Sequence, residues 1–111
     1  MRRKPVQLTP KSKKLMEERG YLVGKTEHWN SFAGIRQDLF GFIDLLAIGA
    51  GFTVGVQVTS KANISSRVKK IRESKEAKLL LESGWTLIVH GWYQDDKKHW
   101  QVKEVIVDVG E

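Results

Sequence analysis

Three residues, Gly49-Ala50-Gly51, stand between two apolar runs at 40–48 and 52–58. Glycines there supply the backbone freedom of a tight turn, and the runs around them are rich in strand-forming residues. This stretch therefore reads as a β-hairpin about which the chain is organised. Each run carries one polar side chain where burial should exclude it, Asp44 in the first and Gln57 in the second. Strand side chains alternate between faces. Phe42, Asp44, Leu46 and Ile48 then share one face, and Gly55, Gln57 and Thr59 share one face of the next strand. The carboxylate and the amide can thus converge. An unpaired carboxylate inside an apolar strand costs several kcal/mol, so Asp44 requires a charge partner, hydrogen bonds or a metal ion.

The segments around the hairpin set the fold class. Residues 1–8 are basic, contain Pro5 and lack periodicity, which predicts a flexible arm ahead of a single domain at 9–111. Thr9-Pro10 and Gly20 bracket a short helix at 10–19 with Thr9 as its cap. A strand is expected at 21–29, ending in Glu27, His28 and Trp29, and then a loop at 30–37 marked by Asn, Ser and Gly. A long helix is expected at 66–83, capped by Ser65 and stopped by Gly84. Val68, Ile71, Ala77, Leu80 and Leu81 approximate its apolar face, although Ser74 and Lys75 interrupt it. Strands at 85–92 and 100–109, separated by a polar turn at 94–98, complete the chain. Passing from Gly55 through a helix to His90 demands a parallel strand pair with a right-handed crossover. The expected class is α/β, a mixed central β-sheet of about five strands with flanking helices.

Composition bears on partners. Nineteen Lys and Arg against thirteen Asp and Glu give a formal net charge of +6 and a pI near 9.7, a positive field suited to polyanions. Lys61, Arg67, Lys69 and Lys70 follow directly on the Gln57-bearing strand, and with Arg36 they are the candidate nucleic-acid contacts. No apolar run approaches the roughly 20 residues that span a bilayer, so no membrane partner is expected. Met1-Arg2-Arg3-Lys4 leads into no apolar segment, and no secretory leader is expected. With no Cys in the sequence, disulfides, thiolate metal sites and Cys nucleophiles are excluded, which fits a reducing cytoplasm. His28, His90 and His99 show no metal-ligand spacing and are read as structural or exposed. Trp29, Trp85, Trp92 and Trp100 offer stacking surface for bases but read first as core or half-buried cover.

An acidic residue and a second oxygen ligand on neighbouring strands, beside a hydroxyl and lysines, meet the needs of metal-assisted phosphodiester hydrolysis. Mg2+, or Mn2+ in its place, takes oxygen ligands. Asp44 would supply the anionic ligand, the Gln57 amide oxygen a neutral one, and the carbonyl of Val58 a third. Glu17 and Glu18 sit in the last turn of the first helix, where the dipole disfavours negative charge, and are further candidates together with Glu27.

The run GFIDLLAI, a short turn, and VGVQVTS leading into a basic helix resembles the PD-(D/E)xK nuclease superfamily, in particular its compact resolvase-like and virus-type replication-repair nuclease members. The likeness extends over residues 9–89. It implies a restriction-endonuclease-like αβββαβ core and a metal-dependent endonuclease that hydrolyses DNA phosphodiester bonds. Branched or nicked DNA in replication, recombination or repair is the implied substrate, and a homodimer in the cytoplasm of a prokaryotic or phage-infected cell the implied setting. By this resemblance Asp44 takes the place of the metal-binding Asp, Gln57 that of the second acidic residue and Thr59 that of the Lys. Glu17 or Glu18 corresponds to a glutamate on the first helix. Gln57 removes a charge and Thr59 cannot supply a cation. Lys61, Arg67 or Lys69 could stand in for the lysine, and Glu27 or Asp38 could restore the charge. The alternative is a catalytically weak or inactive nuclease-fold module that binds DNA through its basic helix.

Overall fold

The computed structural model describes residues 7–108. The expected arm at 1–8 therefore lies outside the described residues except for Gln7 and Leu8. Helix α1 (Thr9–Glu18) places Leu8, not Thr9, at its cap position, and no side chain caps it. At its end Gly20 N–H donates to the Glu17 carbonyl (2.9 Å) and Tyr21 N–H to that of Met16 (3.1 Å), which satisfies the last turn.

Strand β1 (Leu22–Lys25) stops where Thr26 N–H donates to the Asp44 carbonyl (2.9 Å) and Thr26 Oγ1 to that of Ile43 (2.7 Å). The single strand expected at 21–29 is therefore divided. Beyond Thr26 the chain leaves the sheet and forms β2 (His28–Asn30) and β3 (Ile35–Gln37), an antiparallel hairpin of their own where the turn-forming residues predict a loop.

The central hairpin consists of β4 (Leu45–Gly49) and β5 (Phe52–Ser60). Gly49 pairs with Phe52 around a two-residue turn in which Ala50 (φ 51°) and Gly51 (φ 82°) are both left-handed, the geometry that follows strand twist. The first strand starts later than the apolar run at 40–48 suggests. Leu39 and Ile43 bond to each other instead, at 3.1 and 2.9 Å, and close a tight loop.

After a single 3-10 turn (Lys61–Asn63), α2 (Ile64–Arg72) and α3 (Lys75–Glu82) replace the one helix expected at 66–83. Ser74 is extended (φ −81°, ψ 132°) and its Oγ accepts from Ala77 N–H at 3.3 Å. A serine that caps a new helix offers the backbone an alternative to continuing the old one. Strands β6 (Thr86–Gln94) and β7 (Trp100–Val107) finish the described chain.

The fold is α/β with a five-stranded mixed sheet of order β1-β4-β5-β6-β7, in which only β5 and β6 are parallel. Each face has its own core. Met16 of α1 packs with Leu45, Ala47, Val54, Val56 and Ile88 on one side. Ile64, Ile71 and Ala77 of α2 and α3 pack with Ile43, Leu87, Val89 and Val107 on the other. Ile43 and Leu45 are wholly buried, and full burial of such a side chain contributes about 1.5–3 kcal/mol. The start of α2 lies so close over β6 that a Cβ at Gly91 would collide with the Ile64 side chain. Because Val54 and Val56 face α1, alternation turns Gln57 and Thr59 toward the α2 side. Among the described residues no helix is long and apolar enough to cross a membrane.

Candidate metal centre

Asp44 lies one residue before β4 and is 4% exposed. Its N–H donates to the Val56 carbonyl (2.8 Å), which fixes it against β5. Its Oδ2 accepts from Gln57 Nε2 (2.9 Å) and from Val58 N–H (2.7 Å). Aspartate and glutamine are thus side by side on one face. The group of Val58 that meets the carboxylate is its amide N–H rather than the carbonyl expected from the sequence. Gln57 is equally buried, and its Oε1 is the one buried side-chain oxygen or nitrogen without a hydrogen-bond partner among the described residues. Such an orphan costs about 1–3 kcal/mol and leaves a lone pair for a cation.

Two further carboxylates reach this point. The Thr26 hydrogen bonds hold the chain against Asp44 and Ile43, so Glu27 emerges beside Asp44. The 39–43 loop does the same for Asp38, whose carbonyl accepts from Gly41 N–H (3.0 Å) while Phe40 adopts a left-handed φ of 56°. Oxygen atoms of Glu27, Asp38 and Asp44 all lie within 4.8 Å of one another. The Glu27 side chain is 7% exposed and faces two cations, Lys25 Nζ at 3.7 Å and Arg36 NH1 at 3.9 Å.

The electrostatics follow from this crowding. Burial pushes the Asp44 carboxyl up from 3.8 to about 7, against the pull of the Val58 N–H. A hydrogen bond with Asp38 and the charges of Asp38 and Glu27 push the same way. At 4.8 Å and an effective dielectric of about 20, each pair of like charges repels by roughly 3 kcal/mol. The three carboxylates offer oxygen donors of the kind that suits a hard divalent cation such as Mg2+ or Mn2+, and Gln57, whose Nε2 holds Asp44, keeps its Oε1 unpartnered among the described residues.

No protein-family model, curated protein or solved structure matches the chain. The remaining candidate residues divide by location. Thr59 is buried on the Gln57 face of β5. Glu17 and Glu18 are exposed on α1, across the sheet from Gln57, and Glu17 pairs with Lys13 at 3.1 Å. Lys61 holds its Nζ 4.4 Å from the Tyr93 ring centroid instead of reaching back along β5. Arg36 and Lys70 line an open cleft of about 570 Å3 with His28, Asp38, Phe40 and Gly41, and Asp38 is the member of the carboxylate cluster that faces it. Lys69 faces a separate cleft beside Arg72 and Glu73, and Arg67 is half-buried on α2. Sequence reasoning missed Lys25 altogether. The signal was its place two residues before Glu27 at a strand end.

A second buried polar group occupies the α1 face. Ser12 and His90 are wholly buried. The Trp92 indole can only donate, so Ser12 Oγ accepts there (2.8 Å) and turns its hydrogen to His90 Nδ1 (2.8 Å). His90 Nε2–H then donates to Glu104 Oε2 (2.7 Å), which also receives Arg19 (2.7 Å). The His90 and Arg19 donors hold the Glu104 carboxyl down from 4.5 to about 2. A serine, histidine and carboxylate in series could suggest a hydrolase triad. Here the serine has no access to solvent and its oxygen is already engaged on both sides, so the series joins α1 to β6 and β7.

Proposed function

We propose that this protein is a divalent-metal-dependent endonuclease of the PD-(D/E)xK type that hydrolyses DNA phosphodiester bonds, with branched or nicked DNA as its substrate. One observation carries the reading. A buried, hydrogen-bonded Asp44 stands with two further carboxylates and beside Gln57, whose Oε1 has no partner among the described residues.

Asp44, Glu27, Asp38 and Gln57 Oε1 would hold the ion. A divalent cation bound there supplies Lewis acidity to a phosphodiester and lowers the pKa of a coordinated water. The negative charge that Gln57 does not provide comes from Glu27 and Asp38. The cation that Thr59 does not provide comes from Arg36 and Lys25, whose long ion pairs to Glu27 leave both side chains free to turn to a phosphate. Lys70 across the cleft extends the basic track along a strand. Arg36 and Lys25 neutralise charge on the phosphate oxygens, the role for which preorganised cations are most effective.

Incubation with plasmid and branched DNA in Mg2+ or Mn2+, beside Asp44→Ala, tests the reading. Metal-dependent cleavage that disappears in the variant supports it. Salt-sensitive DNA binding without cleavage by the wild type identifies a binding module instead.

A further inference from the structure

Residues 28–37 form the β2–β3 hairpin, and the two residues that bracket it, Glu27 and Asp38, are the carboxylates that meet Asp44. The hairpin stands outside the main sheet, paired only with itself among the described strands. It carries no acidic residue. Its large apolar side chains point into solvent: Trp29 is 65% exposed, Ile35 50% and Phe32, at the tip, 103%. The tip is held all the same. Asn30 Oδ1 accepts from Phe32 N–H (3.0 Å) and Ala33 N–H (3.1 Å), and the Asn30 carbonyl accepts from Gly34 N–H (2.8 Å). Trp29 pairs across the strands with Arg36, so an aromatic ring and a guanidinium share one face next to Lys25. Exposed rings on an ordered hairpin, with Arg36 and Lys25 beside them and no acidic residue from 28 to 37, fit bases and phosphates together.

We propose that this hairpin is a wedge that inserts Phe32 at an opened base step, with Trp29 and Arg36 seating the adjoining strand. The proposal rests on the nuclease reading for its substrate and makes that substrate DNA interrupted by a nick or branch rather than intact duplex. Anchoring both ends of the hairpin on the metal-holding carboxylates sets its aim relative to the scissile phosphate.

The test uses the full chain in Ca2+ with 2-aminopurine placed at the nick or branch, read by fluorescence and by affinity. Wild type should brighten the probe on interrupted DNA and bind intact duplex more weakly. Phe32→Ala should abolish the brightening and weaken binding to interrupted DNA by about tenfold, with intact-duplex affinity unchanged. Phe32→Trp should retain both effects. Because Phe32 touches no core residue, its removal should leave the melting temperature unchanged. Equal brightening by wild type and Phe32→Ala overturns the proposal. So does a response confined to RNA forms of the same oligonucleotides, or a Phe32-dependent self-association with no response to nucleic acid. Brightening without Asp44-dependent cleavage would remove only the nuclease reading, whereas cleavage without a role for Phe32 would remove only the wedge.

Discussion

The two faces of one sheet each bury a polar cluster, and the clusters differ in how completely they are satisfied. On the α1 side, Ser12, Trp92, His90, Glu104 and Arg19 form a series in which every bond is 2.7–2.8 Å and each polar group has a partner. Its carboxylate is held well below its ordinary range. On the α2 side, three carboxylates crowd within 4.8 Å, one is pushed far above its ordinary range, and a buried amide oxygen has no partner among the described residues. A network closed on itself supports the fold. One left with crowded carboxylates and an idle acceptor is open to a partner from outside, and the proposed function rests on that contrast.

The largest test sets activity against stability. Asp44→Ala should reduce cleavage by on the order of 10³-fold or more, since it removes the ligand at the centre of the site. It should cost no more than about 1–3 kcal/mol in urea denaturation, the loss of an acceptor for Gln57 Nε2 and Val58 N–H being offset in part by relief of repulsion with Asp38 and Glu27. A variant that unfolds instead would show the two clusters to be alike.

The pH dependence separates them next. The folded carboxyl of Asp44 titrates near 7 rather than 3.8, so its contribution to stability is complete below 3.8 and has been lost once the pH passes about 7. That difference is on the order of 4 kcal/mol. Metal-free Asp44→Asn should therefore show a flatter stability profile from pH 4 to 7 in denaturant titrations. Added Mg2+ should stabilise the wild type more strongly above pH 7 than below it, as proton and cation compete for the same oxygens.

His90→Ala should show the converse of Asp44→Ala. It should lose about 2–4 kcal/mol by denaturation, through an unfilled cavity and stranded Ser12 and Glu104, with metal-dependent cleavage retained wherever the protein is folded.

A smaller effect distinguishes the basic residues. Arg36→Ala should lower cleavage by about tenfold, whereas Lys61→Ala, which releases a cation from the Tyr93 ring, should change it less than about twofold.

The smallest effect is the acid limb of stability. Glu104 has a depressed folded value, so its contribution is present above 4.5 and lost as the pH falls toward 2. Its partial exposure reduces this to about 1 kcal/mol, and Glu104→Gln should remove it.

Much of this architecture could be read along the chain. Gly51 between two apolar runs specifies the β4–β5 hairpin because few other residues tolerate the left-handed backbone it adopts there. The period-2 alternation of strands then puts Asp44 and Gln57 on one face without reference to anything distant. The split between α2 and α3 was legible in Ser74, a helix-capping residue in the middle of an otherwise helical pattern. The break between β1 and β2 was not, because the strand propensity of 21–29 continues through Thr26, and only the hydrogen bonds to Asp44 and Ile43 end the strand there.

Sequence alone therefore determined that the two strands of the central hairpin pair, that β5 and β6 run parallel, and which two polar residues of the hairpin meet, since each follows from local periodicity and chain connectivity. Tertiary structure alone decided that Glu27 and Asp38 join Asp44, that Lys25 and Arg36 stand beside them, and that Ser12 meets His90 across 78 residues. Those encounters depend on where a strand leaves the sheet and how a helix lies across it. Packing in three dimensions fixes both, and no short-range pattern encodes them.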